Sequence, residues 1–225
     1  MKKIILTLAL FVGLSTMAVA QFSQFHAGLA FPSGKFADGD YGSDILFKGK
    51  GMAAMGFTLG YKHYSPLAVE NLTWVFGIEA FYNGLNSDAK DDLEDSDFDD
   101  TTFPMYFNFP VTFGLNYAFP LQETLKFYGE VAVGGNLSLP TSLKYSDSDY
   151  YQDYSYKFTP AVGLAYALEG GLFINDKYSV GLRYNNLGSY KYKYEIDYEE
   201  KETQDEKLSK SLPILNMSLC LGVLF

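Results

Sequence analysis

Large apolar residues recur at every second position along most of this chain. The pattern is sharpest over Thr102–Phe119, where Phe103, Met105, Phe107, Phe109, Val111, Phe113, Leu115, Tyr117 and Phe119 take the odd positions. The even positions hold Pro104, Tyr106, Asn108, Pro110, Thr112, Gly114, Asn116 and Ala118, most of them small or polar. Successive side chains of a strand point to opposite faces, so the segment presents one apolar face and one polar or closely packed face. Soluble strands average about five or six residues, and a transmembrane strand needs about 9–11 to cross the hydrocarbon. A run this long reads as a membrane-spanning strand with a surplus beyond the bilayer. Pro110 removes a backbone donor in its middle, which predicts a bulge or irregular pairing there.

The same alternation predicts seven further strands. They are Phe22–Phe31, Gly51–Tyr64, Leu72–Leu85, Leu125–Leu139, Phe158–Ile174, Tyr178–Ile196 and a last strand ending at Phe225. On the apolar faces stand residues such as Phe25, Leu59, Ile78, Val131, Leu164 and Leu219. Gly60, Lys62, Thr73, Asn136, Gly163 and Asn185 occupy the opposite faces. Phe158 falls on the apolar face of its strand. The seventh strand blurs at Asn186–Gly188, where a bulge is expected, and its apolar face then resumes with Tyr190, Tyr192 and Tyr194.

The links alternate in length. Pro32–Lys50, Asn86–Thr101, Pro140–Tyr156 and Asp197–Lys207 are long, whereas Ser65–Asn71, Pro120–Thr124 and Asn175–Lys177 are short. Transmembrane barrels show this asymmetry, with short periplasmic turns and longer extracellular loops. The expected fold is therefore all-β: an eight-stranded antiparallel up-and-down transmembrane barrel with both ends of the chain in the periplasm. Eight strands leave an interior that side chains can fill. A soluble ligand barrel would put its apolar face inside, but the apolar faces here are too bulky for so narrow a lumen. The Gly, Ala, Ser, Thr and Asn of the other face fit it.

Composition narrows the class further. The first twenty residues resemble a secretory signal: Lys2 and Lys3, an apolar Ile4–Leu14, and Ala18-Val19-Ala20 before Gln21. Residues 21–225 then form one exported barrel domain. No later segment has 18 consecutive apolar residues, so no transmembrane helix is expected. The chain has 19 Tyr, 19 Phe and one Trp. Without Lys2 and Lys3 it carries 15 basic and 27 acidic residues, a net charge of −12. That balance argues against nucleic acid as a partner, because phosphate binding needs a basic patch. The lone Cys220 permits no internal disulfide.

Four candidate features carry chemistry. By the alternation Glu79, Glu130, Glu169 and Arg183 all point into the lumen, each about six or seven residues from a short turn. Glu169 and Arg183 flank the Asn175–Lys177 turn almost symmetrically, which makes them cross-strand neighbours. Arg183 is the only arginine, and its guanidinium can engage two carboxylates. Lys62 and Lys126 are expected lower in the barrel. The simplest reading is a polar plug of mutually satisfied charges; a gated or narrow solute path is the functional alternative, and a catalytic carboxylate pair the third.

The second feature is the acidic run Asp88–Asp100, with eight carboxylates in thirteen residues. Asp95, Asp97 and Asp99 are weak candidates for divalent cation binding. An EF-hand beginning at Asp95 would need Gly and Glu where Asp100 and Tyr106 stand, so a solvated loop is the expected structure. Third, Lys144–Lys157 and Tyr190–Glu202 interleave tyrosine with charge, as interface girdles and binding surfaces do. Fourth, His26 and Cys220 are expected to face the lumen and His63 to lie near the periplasmic rim. None has an identifiable catalytic partner, so no enzyme, cofactor or metal centre is expected.

With the strands placed, the chain resembles the small outer-membrane β-barrel proteins of Gram-negative bacteria, and in particular the porin-like, PorT-type barrels of Bacteroidetes. The resemblance is carried by YFNFPVTFGLNYAF at Tyr106–Phe119, LKFYGEVAVGGNLS at Leu125–Ser138 and YSVGLRYNNLG at Tyr178–Gly188. The terminal SLCLGVLF resembles the last-strand signal read by the barrel-assembly machinery, with Phe225 as its terminal aromatic. The resemblance implies an outer-membrane location, contact with lipid and lipopolysaccharide, and no catalytic activity. The long acidic, tyrosine-rich loops depart from the family pattern, and the surface partner is unknown. The expected function is a structural or surface-interaction barrel, with a narrow porin-like channel or an accessory subunit of an envelope transport or secretion machine as the alternative.

Overall fold

The computed structural model describes residues 21–38, 51–95, 99–147, 152–198, 201–204 and 210–225. Eight long strands form the barrel wall. They are β1 (Phe22–Pro32), β2 (Gly56–Pro66), β3 (Leu72–Asn83), β5 (Tyr106–Gln122), β6 (Leu125–Pro140), β9 (Ala161–Ile174), β10 (Tyr178–Tyr198) and β12 (Lys210–Leu224). Each pairs antiparallel with its neighbours, and β12 pairs with both β10 and β1, so the sheet closes on itself. Closure gives every strand a partner on both sides, which a lipid environment demands. Four short strands lie at the long-loop end: β4 (Asp99–Thr102), β7 (Leu143–Asp147), β8 (Gln152–Thr159) and β11 (Lys201–Gln204). They extend the sheet beyond the barrel, with β8 pairing to β10 and β7 linking β8 to β4.

The alternation sorts faces as expected. On β5, Phe109, Val111, Phe113, Leu115, Tyr117 and Phe119 are exposed, while Asn108, Thr112 and Asn116 are buried inside. The outward set continues around the wall through Phe25, Leu59, Ile78, Val131, Leu164 and Leu219. A continuous apolar exterior around a polar interior inverts the order of a soluble barrel. It identifies hydrocarbon as the solvent of the outer face.

Several details differ from the sequence expectation. Pro110 produces no bulge. It stays in register opposite Asn136 of β6. Toward β3 the ladder lapses only between Ile78–Val111 and Phe81–Asn108, and the same register resumes beyond the gap. A missing donor therefore costs local pairing without displacing the strand. The bulge at Asn186–Gly188 is present: Asn186 faces Leu215 but Ser189 faces Pro213, one extra residue on β10. Gly188 takes φ +82° there, and its N–H donates to Asn186 Oδ1 at 3.0 Å. The extra residue reverses the inside–outside order, so Tyr190 points into the barrel and not outward. Likewise the break at Pro160 reverses the order between β8 and β9. Phe158 is buried, although Val162 and Leu164 of β9 are exposed.

The expected strand from Gly51 begins only at Gly56, and the fourth begins at Tyr106 because Thr102 belongs to β4. Residues before β2 turn inward instead. Ala53 bridges to Leu85, and Met52 and Ala53 are buried. The acidic connection is not simply a solvated loop: helix α1 (Ser87–Asp95) forms in it, with Ala89 fully buried. Asn86 Oδ1 accepts the Asp88 N–H at 2.9 Å, satisfying one free donor of the first turn.

Candidate functional site: the filled lumen

Three layers fill the barrel, starting from the long-loop end. The outermost is apolar. A 3₁₀ turn at Gly34–Phe36 drops Phe36 into the barrel mouth, where its ring meets Tyr106 at 5.3 Å and Tyr190 at 6.4 Å. Tyr106 also packs on Tyr190 (5.8 Å) and Phe158 (5.9 Å), and its hydroxyl donates to Gly51 O at 2.7 Å. Met52, Leu85, Leu143, Leu187, Leu212 and Ile214 complete this cluster. Phe36 and Leu143 reach this cluster from links, and Phe158 and Tyr190 lie beyond irregularities that reverse the face, so the alternation alone does not assemble it.

Below it lies an amide layer. Asn136 Nδ2 lies within hydrogen-bond distance of Asn108 Oδ1 (3.0 Å), Ser138 Oγ (2.9 Å) and Leu187 O (2.8 Å), which share its two N–H donors. Asn216 donates to Asn83 at 3.3 Å. Arg183 Nε donates to Asn185 Oδ1 at 2.9 Å and so connects this layer to the charges beneath.

The four charged residues expected in the lumen do converge. Arg183 Nη1 donates to Glu130 Oε1 (3.0 Å) and Glu169 Oε2 (2.9 Å), and Nη2 lies 3.0 Å from Glu79 Oε2. Glu169 stands opposite Arg183 across β9–β10 and opposite Glu130 across β6–β9, as the turn symmetry predicted for the first pair. All four side chains are buried.

Two members were not foreseen. Lys62, expected lower, reaches the cluster with Nζ 3.0 Å from Glu130 Oε1 and 2.5 Å from Glu169 Oε2. His26 Nε2 lies 2.8 Å from Glu79 Oε1. Gly60 makes the room. A Cβ at Gly60 would collide with the His26 ring and the Glu79 side chain. Three carboxylates thus face an arginine, a lysine and a histidine. Lys126 does stay near the short turns, paired with Asp176 at 2.7 Å on the surface.

Tyr64 and Tyr128 seal the cluster from the short-turn side. The Tyr128 hydroxyl donates to Glu169 Oε1 at 2.6 Å, and that of Tyr64 to Gln24 Oε1 (2.8 Å) and Glu130 Oε2 (3.2 Å). Their rings stack on Phe173 (4.2 Å) and Phe22 (4.5 Å). Transferring isolated charges out of water costs several kcal/mol each, so such a cluster persists only where each charge is paired and hydrogen-bonded. Here each of the three carboxylates lies within 3.0 Å of at least one basic side chain.

The other candidates are placed as follows. Cys220 is buried in the wall facing the lumen. His63 lies toward the short-turn end of β2 within hydrogen-bond reach of Ser23 and Ser65. The side chains of Asp95, Asp97 and Asp99 lie outside the described residues, as do most of the tyrosine-rich loop side chains. Among the described residues no group of three or more His, Cys, Asp or Glu could hold a metal ion. Phe225 is exposed at the end of the closing strand and stacks on Phe25 at 5.3 Å, while its N–H donates to Ser23 O at 2.9 Å.

A closed antiparallel barrel with an apolar exterior and a polar, filled interior defines an integral membrane barrel protein. The chain belongs to the outer membrane protein beta-barrel domain family, whose model matches residues 4–211. Among solved structures it is similar to Neisserial surface protein A, at 15% identity over 91% of this chain and 95% of that one, with a TM-score of 0.50. The outer membrane protein OprG from Pseudomonas aeruginosa matches at 14% identity over 92% and 96%, TM-score 0.50. A major outer membrane protein from Thermus thermophilus matches at 11% over 92% and 100%, TM-score 0.50. At such identities these likenesses establish the shared fold. No curated protein matches the sequence.

Proposed function

We propose that this outer-membrane protein is a closed, non-conducting barrel that acts as a rigid base for its long loops at the cell surface. The observation that carries the reading is the double seal of the lumen. The apolar plug around Phe36, Tyr106, Phe158 and Tyr190 blocks one end, and the Glu79–Glu130–Glu169–Arg183–Lys62 cluster blocks the middle. Strands β8 and β10 carry the sheet past the plug, so the acidic, tyrosine-rich loops stand on an extension of the wall itself.

In this reading the long loops face outward, the short turns face the periplasm, and lipid and lipopolysaccharide surround the apolar belt. Residues 1–20 direct export, and Phe225 is read by the barrel-assembly machinery. The PorT-type resemblance of Tyr106–Phe119 then reflects the wall and not a transport function. The protein is neither a catalyst nor a porin. Single-channel recording in a planar bilayer tests this. The closed barrel gives a flat baseline, whereas reproducible unitary conductance steps would establish a narrow channel instead.

A further inference from the structure

At the short-turn end, beneath the aromatic pairs Phe22–Tyr64 and Phe173–Tyr128, lies a cavity of about 510 Å³. Its floor is made by the rings of Phe22 and Phe173, which meet edge to face at 6.0 Å. The hydroxyls of Tyr64 and Tyr128 are turned away to Glu130 and Glu169, so the cavity is screened from the charges above. Leu72, Ala118 and Leu224 make its sides apolar.

The link between β2 and β3 forms one wall and is fixed by its own backbone. Leu67 N–H donates to Leu72 O at 2.9 Å, and Asn71 holds φ +62°. Ala118 N–H donates to Asn71 O at 2.9 Å, which pins this link to β5. The cavity is therefore pre-formed, which lowers the ordering cost of binding. Leu67 and Val69 leave apolar surface exposed beside its mouth.

Asn116 lines this cavity, is 1% exposed, and its Nδ2 has no hydrogen-bond partner in the protein. A buried amide donor without a partner costs free energy that an incoming acceptor recovers. At the mouth the cation Lys126 is already neutralised by Asp176, and Glu70 adds a further negative charge. That rim disfavours an anion. The volume lies within the range of about 300–1,000 Å³ typical of small-molecule sites, and a few fixed polar groups in an apolar pocket is their usual make-up.

We propose that this cavity binds a compact, uncharged apolar molecule that carries one hydrogen-bond acceptor, with the acceptor on Asn116 Nδ2. Carbonyl compounds with an aromatic or branched aliphatic body fit this chemistry. The site opens on the side opposite the long loops, so it is independent of the surface role.

The test uses full-length mature protein in lipid nanodiscs, with 4-bromoacetophenone as probe and 4-bromoethylbenzene as its acceptor-free counterpart. The Asn116 side-chain amide is followed by ¹H–¹⁵N NMR. The ketone should shift that resonance saturably and bind about fivefold more tightly than the hydrocarbon, the ratio one neutral hydrogen bond supplies. Asn116→Leu should erase the preference while both probes still bind. Ala118→Phe, which fills the cavity, should abolish both. A heat-dependent gel shift confirms that each variant is folded. Equal, non-saturating effects of both probes, or retention of the ketone shift in Ala118→Phe, would mean partition into lipid alone and overturn the proposal.

Discussion

Replacing Arg183 by leucine tests whether the lumen cluster is a balanced unit. Its guanidinium contacts Glu79, Glu130 and Glu169 at 2.9–3.0 Å and is 2% exposed. Each such pair is worth about 4 kcal/mol at an effective dielectric of about 20, much of it offset by the cost of burying the arginine. Removing one partner of a buried pair costs about 3–5 kcal/mol, because the other charge stays behind uncompensated. Here the loss is uneven. Glu130 and Glu169 keep Lys62, but Glu79 keeps only His26. Arg183→Leu should therefore lose about 3–5 kcal/mol. Adding Glu79→Gln should recover about 1–2 kcal/mol by removing the stranded carboxylate, and Glu130→Gln should recover less. The assay is equilibrium urea unfolding from lipid vesicles, followed by the fluorescence of Trp74, the only tryptophan. A loss under about 1 kcal/mol for Arg183→Leu would mean that the cluster is not a mutually dependent buried unit, since an exposed pair would give no more.

Other substitutions probe the two lysines, the apolar plug and Pro110 separately. Lys62→Met should cost about 3–5 kcal/mol and Lys126→Met under about 1, in the same unfolding assay, because only the first lysine is buried. Phe36→Ala should cost about 3–5 kcal/mol and speed amide exchange at Gly51 and Ala53, whose N–H groups donate to Lys35 O and Phe36 O. Pro110→Ala should change stability by less than about 1 kcal/mol, because the register is continuous on either side of the gap. A shift of more than about 2 would mean that the proline sets the strand register.

The barrel was legible because its signal is repeated eight times and each side of the wall reads separately. Glu79, Glu130, Glu169 and Arg183 could be brought together by counting from the short turns, since antiparallel hairpins transmit register along the strand. Lys62 escaped that counting. Its long side chain reaches several ångströms beyond its own level, and alternation gives direction without reach. His26 was placed in the lumen but not beside Glu79, a contact that depends on the missing side chain at Gly60. The apolar plug was illegible for a different reason. Tyr190 and Phe158 follow a bulge and a proline break, each of which reverses the face read from the preceding residues. Phe36 enters from a link, where no period applies, and Met52 lies in a stretch expected to be strand that turns inward ahead of β2. Helix α1 was hidden by its eight-carboxylate context, which reads as solvated whatever its backbone does.

For the proposed closure of the lumen the protein carries its own reporter. Cys220 is the only cysteine, lies on the inner face of β12 opposite Gly28 of β1 and Gly181 of β10, and is 4% exposed. A water-soluble, charged methanethiosulfonate reagent added to the protein in lipid vesicles, on both sides of the membrane, reaches it only through the lumen. The closed barrel predicts no modification by mass spectrometry until urea unfolds the protein, followed by complete reaction. Modification of the folded protein at the rate of an exposed thiol would contradict a sealed interior.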